Sequence, residues 1–98
     1  MELVFEWDER KAKINLDKHG ISFDEARTVF NDPMLLTYPD EYYSDDEERL
    51  ISIGYSSRQR ILLVVHTEQN TNDELLIRII SSRRATAIER KVYEESSN

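Results

Sequence analysis

Two adjacent arginines, Arg83 and Arg84, stand where a strand-like run, residues 75–80, gives way to a helical pattern that begins near Ala85. A helix N-terminus carries the equivalent of about half a positive charge, so each cation there is unfavourable by roughly 0.3–1 kcal/mol. Stability alone favours Asp or Glu at such a place. Guanidinium groups beside unpaired backbone N–H groups instead make an anion site suited to a phosphodiester. A solvated basic bend, or a pair of salt bridges to the acidic half of the chain, would satisfy the same two residues. The residues alone leave both readings open.

His66 ends the apolar run 61–65 and alternates with Leu62 and Val64. An imidazole titrating near pH 6.5 can move a proton at neutral pH, although a lone His on an apolar face is more often structural. Tyr93, in the last helical segment, offers a phenol to phosphate or serves as a core-edge aromatic. Arg60 begins one strand-like run and Arg78 interrupts another, so a buried Arg78 needs an anion or a carboxylate. Trp7 is the single tryptophan; it can stack on a base or fill the core. His19 suits the C-terminal dipole of the helix it ends.

No Gly-rich phosphate loop, nucleophile elbow or paired-His metal motif occurs. A nuclease built from these residues is therefore expected to work without a metal. The ribose 2′-hydroxyl would attack its own phosphate, arginines would stabilise the added charge, and His66 or Tyr93 would move protons.

The elements that would position these residues are legible as patterns. Residues 3–7 read as a strand. Asp8 caps a helix running to His19, which Gly20 ends as a left-handed C-cap. Ser22-Phe23-Asp24-Glu25 reads as a capping box, with Ile21 and Ala26 as its staple, opening a second helix that Asp32-Pro33 ends. Its apolar face is Phe23, Ala26, Val29 and Phe30. Residues 34–38 are extended and 39–48 form a polar loop; 40–48 holds six acids in nine residues, without the glycine or spacing of an EF-hand. That run reads as a solvated loop or a docking surface for a basic partner.

Strands follow at 49–55, 61–65 and 75–80. The first two are joined by a turn at 56–59 as an antiparallel hairpin, and the continuously apolar 61–65 is placed at the sheet centre. A final helix from Ala85 to Glu94 is expected to bury Ala85, Ile88 and Val92. The pattern predicts an α+β fold: an antiparallel sheet with two N-terminal helices and one C-terminal helix.

A chain of 98 residues makes a single domain, 1–98. It has no cysteine, hence no disulfide, thiol nucleophile or Cys-bound zinc. No run reaches the ~18 apolar residues of a membrane span, and Met1-Glu2-Leu3-Val4 lacks a secretory start, so a cytoplasmic protein is expected. The net charge of −7 weakens a nucleic-acid reading without excluding it. Its distribution is uneven: residues 56–93 hold seven Lys/Arg against four Asp/Glu, whereas 1–55 hold six against fourteen. Local potential, screened beyond ~8–10 Å, is what steers a polyanion.

Phe5-Glu6-Trp7-Asp8, then residues 15–23 (Asn-Leu-Asp-Lys-His-Gly-Ile-Ser-Phe) and Asp32-Pro33, resemble the BrnT family. Ile53-Gly54-Tyr55-Ser56 and Val64-Val65-His66-Thr67-Glu68 fit the same pattern. So does residues 79–86 (Ile-Ile-Ser-Ser-Arg-Arg-Ala-Thr), followed by Glu89-Arg90 and Tyr93. The resemblance spans nearly the whole chain. It implies a RelE-like fold and the toxin of a type II toxin–antitoxin system, an endoribonuclease neutralised by a ribbon-helix-helix antitoxin. Operator DNA would be met only through that antitoxin. On this reading Arg83, Arg84, His66 and Tyr93 are the catalytic candidates, while Arg60, Arg78, Arg90 and Trp7 are the RNA contacts. No cofactor is expected. The competing expectations are a catalytically silent module that pairs with a DNA-binding partner, and an interaction domain with no nucleic-acid role.

Overall fold

The computed structural model describes residues 1–42 and 48–96. Most of the acidic run therefore lies outside the described residues. Strand β1 (Glu2–Glu6) leads to helix α1 (Glu9–His19) and the single-turn helix α2 (Phe23–Ala26), which tightens directly into a 3-10 turn at Arg27–Asn31. Strands β2 (Leu36–Pro39), β3 (Leu50–Tyr55), β4 (Ile61–Asn70) and β5 (Glu74–Arg84) follow, and helix α3 (Ala87–Ser96) closes the chain. The sheet order is β1-β5-β4-β3-β2.

The α+β arrangement is the one the pattern predicts, and β4 is indeed central, with Ile61 to Val64 all buried. One pairing differs. β2 to β5 are antiparallel neighbours, but β1 lies parallel to β5, so the sheet is mixed. β1 and β5 are separated in the chain by helices α1 and α2 and strands β2 to β4, so no hairpin joins them and their parallel pairing is made across the whole chain.

Local caps set the helix ends. The Asp8 carboxylate accepts the Arg10 and Lys11 N–H groups at 2.8 and 3.2 Å. Gly20 takes φ +72° and its N–H reaches the Leu16 carbonyl, the left-handed stop that glycine adopts without penalty. Ser22 accepts the Glu25 N–H at 3.0 Å, half of the predicted capping box. The Glu25 carboxylate does not return to Ser22; it turns inward to Arg60 and Ser56.

Because side chains alternate across a strand, the pairings define two faces. On the first, Leu62, Val64, Ile77 and Ile79 pack beneath Ile21, Phe23, Ala26 and Val29. On the second, Ile53, Ile61 and Leu63 meet Ala85 and Tyr93, under α3. The second half of β5, beyond Arg78, extends past β1, and the side chain of Asn15 on α1 takes the place of a strand at Ser82. Its amide donates to the Ser82 carbonyl at 2.8 Å and accepts the Ser82 N–H at 3.1 Å, while also donating to the Ile21 carbonyl at 3.0 Å. Asn15 is buried, so loss of these bonds exposes Ser82's peptide groups to no alternative partner.

Of the inner stripe predicted for the last helix, Ala85 is buried as expected, at 5% exposure, and the other two residues are corrected. Ile88 and Val92 are 78% and 47% exposed, and the residue that α3 buries is Tyr93, at 4%. The helix begins at Ala87, two residues later than the pattern suggests. Thr86 caps it: its hydroxyl accepts the Glu89 N–H at 3.2 Å and its own N–H donates to Glu89 Oε1 at 2.8 Å. This reciprocal box rotates Glu89 and Tyr93, one turn apart, toward the sheet.

Replacing Asn15 with Ala should lower stability by about 3 kcal/mol or more, since three backbone groups, the Ser82 N–H and carbonyl and the Ile21 carbonyl, lose partners at ~1 kcal/mol or more each. Urea unfolding reads this as a lower midpoint at unchanged slope. An unchanged midpoint would mean that water satisfies Ser82 equally well.

Candidate active site

Arg83 lies within β5, opposite Leu63, which in turn pairs with Ile53. Its side chain therefore stands on the second face, the one under α3. Nη1 and Nη2 donate to the two Glu89 oxygens at 2.8 and 2.9 Å, and Nη1 also reaches the Arg84 carbonyl at 3.2 Å. Of five guanidinium donors, this leaves Nε–H and one Nη2 proton open. The side chain is 39% exposed. The hydrogen bond from Arg83 holds Glu89 below the usual carboxylate range, against its partial burial and with help from Thr86. Tyr38, on β2 across the same face, has its phenol pushed up by burial and by the field of Glu89, with Arg83 opposing.

Arg84 does not join Arg83. Consecutive strand residues point to opposite faces, and Arg84, opposite Leu62, is exposed with no side-chain partner among the described residues. The two arginines were expected to share a helix N-terminus; instead both end a strand, and Glu89 offsets the charge of the first.

The remaining predicted residues are scattered. His66 is wholly buried on the first face. Its Nε2 lies 2.7 Å from Ser52 Oγ, which is 2.7 Å from Thr37 Oγ1, and Phe30 packs edge-on at 4.9 Å. Nδ1 has no hydrogen-bond partner among the described residues, the Glu68 carboxylate standing off at 3.8 Å. Burial pushes the imidazole down to about 4, so it is neutral and out of reach of a substrate on the other face.

Tyr93 is equally sequestered. Its hydroxyl donates to Asp32 Oδ2, and burial and that carboxylate drive its pKa upward. Arg60 is forked onto Glu25, Arg78 pairs with Glu6 at 2.8 Å, and Arg90 donates to the Ala85 carbonyl at 3.3 Å. Trp7 packs edge-on against Phe23 at 5.9 Å as part of the core.

Three residues of the site were given no part in it by the sequence reading: Glu89, Tyr38 and Asp32. Glu89 carried a signal, the Thr-x-x-Glu spacing of Thr86 and Glu89. Tyr38 carried none, and Asp32 was legible only as the Asp32-Pro33 helix end, because its partners Tyr55 and Tyr93 are distant in sequence. Asp32 accepts the Tyr55 N–H at 2.9 Å and the Met34 N–H at 2.8 Å besides the Tyr93 hydroxyl. Burial opposes its ionisation, but these three donors prevail and hold it below the ordinary carboxylate range.

Residues 7–89 match the family described as ribonuclease toxin, BrnT, of type II toxin-antitoxin system. The chain belongs to the BrnT family. BrnT proteins are thereby placed as the toxins of two-component systems, so an antitoxin partner comes with membership. Among solved structures, the 1.1 Å crystal structure of the Brucella abortus ribonuclease toxin BrnT is similar, with a TM-score of 0.60 at 24% identity. The match covers 88% of this chain and 99% of that one, and at this identity it establishes the shared fold. Comparison with curated proteins finds no match.

In this BrnT chain His66 should act through stability. Unfolded, the imidazole takes up its proton near pH 6.5; folded, only near pH 4. The folded state therefore binds fewer protons between these values, and stability rises with pH across that window. The contribution is complete above pH 6.5 and lost as pH falls to about 4, a swing of roughly 3 kcal/mol. Denaturant unfolding at pH 7 and pH 4.5 should show this loss in the native protein and a shallower one in His66→Leu. Equal slopes in both would remove His66 as the cause.

Proposed function

We propose that this BrnT chain is a metal-independent endoribonuclease in which Arg83 grips the scissile phosphate, and that a ribbon-helix-helix antitoxin masks this face. The observation that carries the reading is the Arg83–Glu89 fork at 2.8 and 2.9 Å. It locks the guanidinium over the sheet while leaving a two-donor edge, Nε–H and Nη2–H, directed away from Glu89. A phosphate oxygen pair fits such an edge.

The ribose 2′-oxygen attacks the adjacent phosphorus, its proton passing to water. The bond to the 5′-oxygen breaks, and a 2′,3′-cyclic phosphate and a 5′-hydroxyl result. Arg83 stabilises the charge that accumulates on the phosphorane. Tyr38, a phenol protonated at neutral pH whose burial and neighbouring Glu89 raise its pKa further, donates its proton to the departing 5′-oxygen and regains one from water. Glu89 is a positioning residue: a carboxylate held ionised by Arg83 orients the fork and is a weak base. Among the described residues no three His, Cys, Asp or Glu side chains gather as a group that could hold a metal ion.

The antitoxin reading rests on family membership; operator DNA would be contacted through the antitoxin. No helix among the described residues is long and apolar enough to cross a membrane, and the reading places the protein in the cytoplasm with its RNA.

Arg83→Ala should cut RNA cleavage by ~10²–10³, the usual loss of one charged transition-state contact, and relieve growth arrest. Arg84→Ala, on the other face, should change cleavage less than about tenfold, as for a contact outside the transition state. Wild-type cleavage should persist in EDTA and leave cyclic phosphate ends. Loss of activity in EDTA together with an active Arg83→Ala variant would overturn the mechanism. A protein that binds its partner but cleaves nothing would instead be the silent module.

A further inference from the structure

Tyr55 ends β3 opposite Ile61, and Arg83 lies opposite Leu63 in the neighbouring row, so both stand on the second face. Two strand spacings and two residues of rise separate their Cα atoms by about 12 Å. Tyr55 is 49% exposed, an unusual place for a large ring between the buried Gly54 and Ser56. It is nonetheless held. Its N–H donates to Asp32 at 2.9 Å, and its ring meets the edge of Tyr93 at 5.9 Å and 68°. Tyr93 is in turn tied to the same Asp32 carboxylate.

Beside this ring is a depression of about 420 Å³, lined by Thr28, Asn31, Asp32, Pro33, Tyr55 and Ser57 among others. Its polar groups divide into two kinds. Thr28 Oγ1 donates to the Glu25 carbonyl and accepts the Ser57 N–H, and both Asp32 oxygens are engaged. These groups are spent on the fold. The Asn31 carboxamide and the Ser57 hydroxyl have no partner among the described residues. Each offers both a donor and an acceptor.

We propose that Tyr55 and this depression form a subsite for one unpaired nucleobase of the RNA, with Tyr55 as stacking surface and Asn31 and Ser57 as hydrogen-bonding edge. The inference rests on the ribonuclease reading above. A pre-locked ring loses little freedom on binding, and single-stranded RNA is recognised by stacking on aromatics and by bonds to the base edge. The volume falls within the ~300–1,000 Å³ of small-ligand pockets. The separation from Arg83 puts the bound base within a few nucleotides of the scissile phosphate. Tyr93 is thus a positioning residue: it steadies Tyr55 rather than moving a proton.

The probe is a mixed-sequence ribodecamer carrying 2′-O-methyl groups, which cannot cleave itself, together with copies lacking one base at successive positions. With the whole protein, removal of one base near the cut should weaken binding about 5- to 150-fold, the range of a lost base–aromatic stack. Tyr55→Ala should bind the intact decamer that much more weakly and become indifferent to the missing base. Tyr55→Phe and Tyr55→Trp should keep both properties, and quenching of the introduced indole, in a Trp7→Phe background, should report the stack directly. Asn31→Ala should relax base preference at that one position. If wild type cleaves RNA but Tyr55→Ala binds and discriminates as wild type does, the subsite is wrong and the ribonuclease reading stands. If wild type neither binds nor cleaves RNA, both fall.

Discussion

The carboxylate of Asp32 is the point on which the second face of the sheet depends. It leaves the 3-10 turn and receives donors from three directions: the backbone of Met34, the backbone of Tyr55 on β3 and the hydroxyl of Tyr93 on α3. The approach is possible because residue 54 is glycine. A Cβ there would lie 3.2 Å from Asp32 Oδ2, 3.3 Å from Val29 Cβ and 2.8 Å from Leu35 Cδ1. The first of these contacts would push the carboxylate away from its donors. With Asp32 in place, Tyr93 anchors α3 over the sheet, and Glu89, one turn earlier, is delivered to Arg83.

The inner face of α3 is accordingly polar where a core helix would be apolar. Besides the Tyr93 ring packed on Ile53, Ile61 and Leu63, it meets the rest of the fold through a carboxylate on an arginine and a phenol on a carboxylate, and its aliphatic residues Ile88 and Val92 face outward. An ion pair as exposed as Arg83–Glu89 adds at most about 1 kcal/mol of stability. Its consequence is geometric: it fixes the direction of a guanidinium that would otherwise sample many rotamers. Local rules are broken in this way mainly where a site has to be held in place. His66 shows the opposite outcome. A residue type suited to proton transfer is enclosed by Ser52 and Phe30 and serves packing.

The cationic excess of residues 56–93 is largely consumed inside the molecule. Arg60, Arg78 and Arg83 each face a carboxylate, from Glu25, Glu6 and Glu89. An acidic protein organised this way cannot hold a polyanion by a broad positive field. It must rely on a few oriented donors and on stacking, which fits the pairing of one half-open guanidinium with one exposed, immobilised ring.

The α+β class, the central position of residues 61–65, the caps at Asp8, Gly20 and Ser22, and the family were all legible in the chain, because each depends on residues close in sequence or on motifs in fixed order. The parallel docking of β1, the separation of Arg83 from Arg84 and the outward turn of Ile88 and Val92 were not. The first two depend on which strand a segment pairs with and where β5 ends. A strand that runs on to Arg84 sends adjacent arginines to opposite faces, whereas a bend after residue 80 leaves them together. The third depends on the two-residue shift of α3 imposed by Thr86 and on polar partners at Asp32 and Arg83. The sequence alone determined which residue types were present and which segments were apolar. Only the tertiary structure decided which of them met, because Asp32 with Tyr93, Arg60 with Glu25 and Asn15 with Ser82 lie 61, 35 and 67 residues apart, beyond the reach of any local pattern.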